Sequence, residues 1–293
     1  MEYYTSVLMF GAISTIGTLG TFVLTGLTGL FSLGQAAFMA IGAYSAAMGV
    51  VRYNLPFAPA VILSVGIAVG LAYIIGYATL NLRQDYFALS TFGFGEAVRA
   101  VLTTSVQLTG GALGMTGIPK LTTGPLVVIS LVVVVWLIRN VRVSRFGREC
   151  VALRLDETAA QAMGVDVFWR KMQVFMLGAA LSAYAGALLA FYTSYAEPNM
   201  FGWMRSVEWI IMVFLGGRDS LTGALLGSFV LNTAPEVLRF ASQMRTAIYC
   251  ILILVTLNLR PRGLLGAWEL SFSGIFGQRR SAVTRGGGSQ HVS

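Results

Sequence analysis

Long apolar runs separated by short polar connections dominate the sequence. A helix that crosses a bilayer needs about 20 apolar residues. Runs of this kind occupy residues 5–26, 31–51, 57–81, 86–104 and 171–194, and two more are plausible spans, residues 125–138 and 221–238. Residues 204–217 and 246–259 form shorter runs, typical of short spans or of half-helices buried in protein. The pattern predicts an all-α polytopic membrane protein with about nine transmembrane segments, some of them short or broken.

The composition supports this class and removes others. The 293 residues are 56% hydrophobic and 11% charged, whereas a soluble domain carries about 25% charged residues. A water-soluble enzyme and a disordered chain are both excluded. The single histidine, His291, lies in a polar tail, and Cys150 and Cys250 lie in charged and apolar surroundings, respectively. The sequence therefore predicts no metal site, no disulfide and no catalytic residues.

The distribution of basic residues predicts the topology. The net charge of +8 indicates cytoplasmic loops that are rich in Lys and Arg, and it does not require nucleic-acid binding. Residues 139–171 contain seven basic residues, and the chain beyond residue 259 contains five. We therefore expect a transmembrane domain at 1–270, a cytoplasmic loop at 139–171, and a disordered cytoplasmic tail at 271–293. Nine crossings place the N-terminus and residues 105–124 outside. No Lys or Arg precedes the first apolar run, so the start does not form the basic region of a signal peptide.

Small residues recur every fourth position in several spans. Glycine makes up 34 residues, including two GxxxG pairs, Gly66 with Gly70 and Gly223 with Gly227. The row Ser182, Gly186 and Ala190 has the same spacing. Small faces let helix backbones approach closely in lipid. We expect these faces to pack within one bundle, in preference to forming a dimer surface.

Residues 26–44 suggest a break between the first two spans. Three glycines, Gly26, Gly29 and Gly34, lie between two apolar runs, and Thr28, Ser32 and Gln35 could satisfy the peptide groups that a broken helix exposes. Irregular backbone at membrane depth is tolerated where it lines a cavity, and substrate sites use such breaks. Two interpretations remain open, a substrate cavity and an ordinary turn at the membrane interface.

Charged residues of opposite sign occur one helical turn apart in three places. Glu96 precedes Arg99, Arg205 precedes Glu208, and Glu236 precedes Arg239. An unpaired charge at membrane depth costs about 2.5–3.5 kcal/mol on insertion scales, and an i,i+3 partner offsets it. Structural charge compensation is the favoured interpretation. The alternative is that Glu96 and Glu208 line a pathway for a zwitterion.

The cytoplasmic loop predicts short helices. Asp156 suits an N-cap, Glu157 suits the first turn, and Gly164 suits a left-handed C-terminal position, so we expect a helix over 157–163. Residues 144–154 could form a second helix. Ala159 and Ala160 give the first helix a small face that fits the groove of another protein. The alternative is a solvated connector.

No sequence in the chain is suited to binding nucleotides. A phosphate-binding loop needs glycines followed by Lys and Ser or Thr, but Lys120 follows Pro119 and Lys171 follows Arg170. The chain is therefore not predicted to be an enzyme and requires no cofactor. If ATP drives its function, another chain must bind the ATP.

Taken in order, these stretches resemble the permease subunit of branched-chain amino acid ABC importers, and its M-type member in particular. The resemblance extends from about residue 26 to residue 266. It rests on residues 26–38, 82–96, 108–111, 117–119, 144–148, 156–160, 162–164, 213–217 and 260–264. The chain begins shortly before its first apolar run, whereas many members of the family start with further apolar segments.

The resemblance implies a subunit of the bacterial inner membrane that imports leucine, isoleucine and valine by alternating access. It implies as partners a second permease, two ATP-binding cassette ATPases, a periplasmic binding protein that docks on the outer loops, and membrane lipid. The cytoplasmic loop would contact an ATPase through Arg145, Arg148, Arg154, Asp156, Glu157, Ala159, Ala160, Met163 and Gly164. Two rival functions remain open: the same importer class carrying urea or short amides, and an ion-coupled secondary transporter that uses Glu96, Glu208 or Glu236.

Overall fold

The computed structural model describes residues 2–237 and Leu254, with side chains over residues 5–233. Within residues 2–237 the chain forms eleven α-helices and two 3₁₀ helices, Gly111–Leu113 and Pro198–Phe201. The helices are α1 Glu2–Phe22, α2 Gln35–Tyr53, α3 Phe57–Thr79, α4 Gln84–Thr104, α5 Val106–Thr109, α6 Gly124–Val143, α7 Arg145–Leu155, α8 Glu157–Ala162, α9 Val167–Thr193, α10 Trp203–Gly216 and α11 Leu221–Val237.

Five helical segments among the described residues are long and apolar enough to cross a membrane, which confirms the all-α polytopic class. They are Thr5–Thr28, Gln35–Tyr53, Phe57–Thr79, Gly124–Val143 and Val167–Thr193. The run at 125–138 is thus part of a longer span than the sequence suggested. The runs at 204–217 and 221–238 correspond to α10 and α11.

The run at 86–104 was expected to be one of the long apolar spans, and its crossing of the membrane stays a prediction. A helix of sufficient length does form there, as α4, but it is not apolar enough to count among the five. Asp85, Glu96 and Arg99 lie within its 21 residues. The run at 246–259 and the tail at 271–293 lie outside the described residues, apart from Leu254, so the total of nine spans stays a prediction.

Helix α9 occupies the centre of the bundle. It packs against α1, α2 and α3, which surround it, and Phe175, Leu188 and Phe191 on it are fully buried. Its small residues permit the close approach, because a Cβ added at Gly186 would overlap the Met39 carbonyl oxygen of α2. The predicted row of small residues is therefore the contact surface between α9 and α2.

The two GxxxG pairs differ in their surroundings. Gly223 and Gly227 lie against α10, where an added Cβ would overlap the carbonyl oxygens of Gly216 and Met212. This pair confirms the expected packing within one bundle. At Gly66 and Gly70 on α3 an added Cβ would meet nothing within 4 Å, so the same expectation is wrong for this pair.

Two segments on the side of the molecule opposite the 145–162 helices are joined to each other. The backbones of Met115 and Ala196 form an isolated antiparallel bridge, with N···O distances of 2.8 and 3.1 Å. The Tyr44 hydroxyl donates to the Ala196 carbonyl at 2.9 Å, and the Tyr195 hydroxyl donates to the Leu113 carbonyl at 2.9 Å. Residues 105–123 and 194–202 therefore form one hydrogen-bonded layer at this end of the bundle.

Candidate functional site

The first span ends in the irregular segment that its glycines predict. Beyond Phe22 the helix widens into a π-helical turn, Val23–Thr28. Gly29 follows with φ of 73°, in the left-handed region that glycine adopts without steric cost. Regular helix resumes only at Gln35. The predicted break is confirmed, and π-helical turns of this kind occur frequently at functional sites.

Thr28, Ser32 and Gln35 come together at this break, and all three are buried. Thr28 Oγ1 donates to the Leu24 carbonyl at 2.7 Å, and Ser32 Oγ accepts from a backbone N–H at 3.3 Å. These two side chains satisfy peptide groups, as expected. Gln35 does not: its Oε1 accepts from Ser182 Oγ of α9 at 2.9 Å, and its fully buried Nε2 has no hydrogen-bond partner.

Two further polar residues at the break escaped the sequence analysis. Thr91 Oγ1 of α4 accepts from the Leu33 N–H at 3.1 Å, and Ser206 Oγ of α10 accepts from the Ala36 N–H at 2.9 Å. Ser206 satisfies an N–H in the first turn of α2, where a helix has no internal partner for it, and Thr91 satisfies the Leu33 N–H just before that helix. Because each lies far from the break in sequence, only the fold identifies it.

Two of the three predicted ion pairs form. Arg99 Nε lies 3.6 Å from Glu96 Oε2, and Arg205 Nη1 lies 2.9 Å from Glu208 Oε2. The guanidinium of Arg205 also stacks on the ring of Phe10, 5.4 Å from its centroid. The third pair, Glu236 and Arg239, lies outside the described side chains. Glu96 and Glu208 are thus charge-compensated, and no described hydrogen bond connects either of them to the break.

The loop between α6 and α9 folds into the two helices expected of it. Asp156 Oδ1 accepts from the N–H groups of Thr158 and Ala159 at 2.8 and 3.0 Å, and Gly164 is left-handed with φ of 81°. Helix α8 ends at Ala162, one residue earlier than predicted. Ser144 caps α7 through a 3.3 Å hydrogen bond from the Gly147 N–H.

The apolar surface of this helix pair differs from the expected one. Ala160 is only 5% exposed and packs inside the chain, so it is not free to enter a partner's groove. The exposed apolar side chains are Leu155 at 77% and Met163 at 85%, with Ala159 exposed beside them. Sequence reasoning overlooked Leu155, because the predicted helix began after it.

Ion pairs attach the loop to the first turn of α9. Glu149 pairs with Arg145 at 2.9 Å and with Arg170 at 2.6 Å, and Lys171 pairs with Glu157 at 2.6 Å. The hydrogen bond from Arg145, helped by Arg170, holds the pKa of the Glu149 carboxyl below its usual range. Arg148, by contrast, donates to the Val143 carbonyl at 2.7 Å, at the end of α6.

Arg154 points into the protein. Its Nη1 donates to the Gly26 carbonyl at 2.6 Å and lies 2.7 Å from Asp219 Oδ1 in the turn between α10 and α11. Asp219 had not been singled out from the sequence. A cavity of about 420 Å³ lies beside these groups, and both Thr28 of the break and Asp156 of the loop line it.

A comparison with protein families identifies the architecture. Residues 3–257 match the family described as the permease component of the branched-chain amino acid transport system. The chain belongs to this family. The matched range covers the break, both loop helices and every described candidate residue, and the chain is therefore a multi-pass membrane protein of a transport system.

Individual members of the family show how far the similarity extends. The high-affinity branched-chain amino acid transport system permease protein LivM of Salmonella typhimurium is 30% identical over 271 residues, and so is LivM of Escherichia coli K12. Each alignment covers 80% of this chain and 63% of the relative. The probable permease LivM of Methanocaldococcus jannaschii is 25% identical over 68% of this chain and 65% of its own. No solved structure matches the chain significantly.

Proposed function

We propose that the chain is the membrane-spanning subunit of an ATP-driven importer that moves branched-chain amino acids into the cytoplasm by alternating access. The observation that carries this proposal is the buried break at 23–34, where the Nε2 of Gln35 has no hydrogen-bond partner. A capped helix pair lies next to this break, on the side we assign to the cytoplasm. Relatives named as branched-chain amino acid permeases support the choice of cargo.

The pathway runs past Thr28, Ser32 and Gln35, with Glu96 and Glu208 along its course. A branched-chain amino acid needs an apolar wall for its side chain and hydrogen-bonding groups for its charged end. The break offers both, because Leu24 and Leu27 are buried beside the three polar side chains. The Gln35 amide is the group we assign to the substrate carboxylate, since a buried donor without a partner costs about 1–3 kcal/mol.

The partners follow from what the chain lacks and from what it exposes. Two ATP-binding cassette ATPases supply hydrolysis, a periplasmic binding protein delivers the amino acid to the outer layer at 105–123 and 194–202, and a second permease completes the channel. The ATPase contact comprises Arg145, Leu155, Ala159 and Met163 on α7 and α8. In this arrangement the protein lies in a bacterial inner membrane with its C-terminus in the cytoplasm.

Uptake by the reconstituted complex tests the proposed function. Proteoliposomes that contain the permeases and ATPases, supplied with the binding protein and radiolabelled leucine, should accumulate leucine only when ATP is present on the ATPase side. If the complex accumulated urea or a short amide and no leucine, the proposed substrate would be wrong. If an ion gradient drove leucine accumulation without ATP, the protein would be a secondary transporter and the proposed ATP-driven class would be wrong.

The assignment of Gln35 makes a separate prediction. Gln35→Leu removes the amide while conserving much of its volume, so leucine uptake should fall about tenfold, the factor that 1.4 kcal/mol represents. Gln173→Leu, at an exposed position on α9, is the matched control and should transport normally. Normal uptake by Gln35→Leu would remove this residue from the pathway.

The exposed apolar side chains of the loop predict the ATPase contact. Met163→Glu places a charge where an apolar contact would form, so the ATPases should no longer co-purify while the permease still reaches the membrane. The fold should be unaffected, because Met163 is 85% exposed. Met200→Glu, an equally polar change at an exposed methionine far from this surface, should still co-purify with both ATPases. If Met163→Glu still bound both ATPases, the proposed ATPase contact would be wrong.

A further inference from the structure

Arg154 belongs to the cytoplasmic helix α7, but its side chain is directed away from the cytoplasm. The side chain is only 15% exposed, whereas Arg145 at the other end of the same helix is 88% exposed. The two arginines therefore perform different tasks. Arg145 remains available to another protein, whereas Arg154 is bound entirely within the chain.

The first partner of Arg154 is the broken end of α1. The last carbonyls of a helix have no internal hydrogen-bond partners and carry partial negative charge, which a cation stabilises. The Gly26 carbonyl lies in the π-helical turn and accepts from Arg154 Nη1 at 2.6 Å. Gly29 lies against the stem of the same side chain, because an added Cβ there would be 3.0 Å from Arg154 Cγ.

The second partner is the turn between α10 and α11. Asp219 Oδ1 lies 2.7 Å from Arg154 Nη1, and the backbone carbonyl of Asp219 accepts from Arg142 at the end of α6. Arg154 Nη1 therefore donates a hydrogen bond to the Gly26 carbonyl and forms an ion pair with the Asp219 carboxylate. Arg154 thereby joins three elements: α7, the end of α1 and the α10–α11 turn.

This junction lies between the two regions that the proposed function must connect. On one side, α7 leads directly to Leu155 and Met163 on the proposed ATPase contact. On the other side, Gly26 is two residues before Thr28, and Ser206 of α10 holds the start of α2 at the far end of the break. If α7 moves while the hydrogen bond and the ion pair of Arg154 remain intact, the break must therefore move with it.

We propose that Arg154, with Asp219, is the positioning pair that transmits movement of the cytoplasmic helices to the broken end of the first span. The proposal rests on the proposed function and adds to it the specific connection through which ATP binding reaches the pathway. Because Arg154 is bound within the chain by Gly26 and Asp219 and lies apart from the exposed residues of the proposed ATPase contact, its loss should separate ATP hydrolysis from transport.

The test uses the whole complex in proteoliposomes and measures leucine uptake and ATP hydrolysis in the same preparation. Arg154→Gln should assemble with both ATPases and hydrolyse ATP, with leucine moved per ATP hydrolysed reduced about tenfold or more, as expected for a truncated buried charge pair. Arg154→Lys, which retains the positive charge and a single donor nitrogen, should recover part of this ratio. Arg52→Gln, an exposed arginine at the end of α2, should leave the ratio unchanged.

A second variant shows whether the two residues act together. Asp219→Asn should reduce the same ratio, and the double variant should be no worse than Arg154→Gln alone, because the pair is already broken. An unchanged ratio in Arg154→Gln would overturn the proposal. So would failure of the Gln, Lys and Asn variants to assemble, since the pair would then only stabilise the fold. Failure of the proposed function is recognised separately, because the unmodified complex would then show no ATP-dependent uptake.

Discussion

Helices α9 and α6 are both long apolar spans, yet they have opposite places in the bundle. In α9, 78% of the most apolar stretch is buried, against 22% in α6. The difference lies in side-chain size. Helix α9 carries Gly178, Ser182 and Gly186 along one side, whereas α6 presents Val, Ile and Trp outward, including Ile129 and Trp136. In lipid, where apolar side chains gain little by leaving the solvent, small residues determine which helix becomes central.

Enlarging a small residue gives the strongest test of this comparison. Gly186→Leu should destabilise the fold by about 3 kcal/mol or more, because the new side chain overlaps the α2 backbone. Gly66→Leu is the matched control on α3, where an added Cβ meets nothing. It should be neutral or gain up to about 1 kcal/mol from helix propensity. Unfolding in detergent, followed by circular dichroism, measures both, and equal losses would show that size is not the deciding property.

Truncating large residues should give a smaller contrast in the same direction. Leu188→Ala on α9 should cost about 2–5 kcal/mol, because Leu188 is fully buried and a cavity would remain. Ile129→Ala on α6 should change the unfolding free energy by less than about 1 kcal/mol, since lipid or detergent fills the space beside an exposed side chain. A cost at Ile129 comparable to that at Leu188 would mean that protein covers this side of α6.

Much of this contrast could have been predicted from the sequence, although the outcome was uneven. The apolar runs located the spans, and the glycines located the break, because both signals are local. The GxxxG spacing failed at Gly66 because spacing alone does not reveal which way a helix face points. The run at 86–104 forms a helix of the expected length, but Asp85, Glu96 and Arg99 make it less apolar than the five long spans.

The candidate site shows the same division between local and distant information. The predicted cap at Asp156 depends on neighbours within three residues, and it forms. The hydroxyls of Thr91 and Ser206 act on a segment far away in sequence, so no local pattern marks them. Arg154 and Ala160 were placed on the surface for the same reason, because helical periodicity cannot determine which face of a short loop helix packs against the bundle.

The weakest expected effect concerns the anchoring of α9 and is set by pH. Since the folded-state pKa of Glu149 is lowered by Arg145 and Arg170, its carboxylate stabilises the fold at neutral pH. This contribution should be lost as the pH falls from the usual glutamate range through the lowered value. Arg170→Gln should remove part of that dependence. Melting temperatures of both proteins between pH 7 and the acid limit of solubility provide the comparison, and parallel curves would exclude a role for this pair.

The bridge between Met115 and Ala196 constrains how this end of the protein can evolve. Because Tyr44, Leu113 and Ala196 are linked in one hydrogen-bonded layer, neither residues 105–123 nor residues 194–202 can change shape without disturbing the other segment. Grafting only one of them from a relative would pair an inherited loop with a mismatched neighbour. A chimera with a relative should therefore fold correctly at this end only when residues 105–123 and 194–202 are exchanged together.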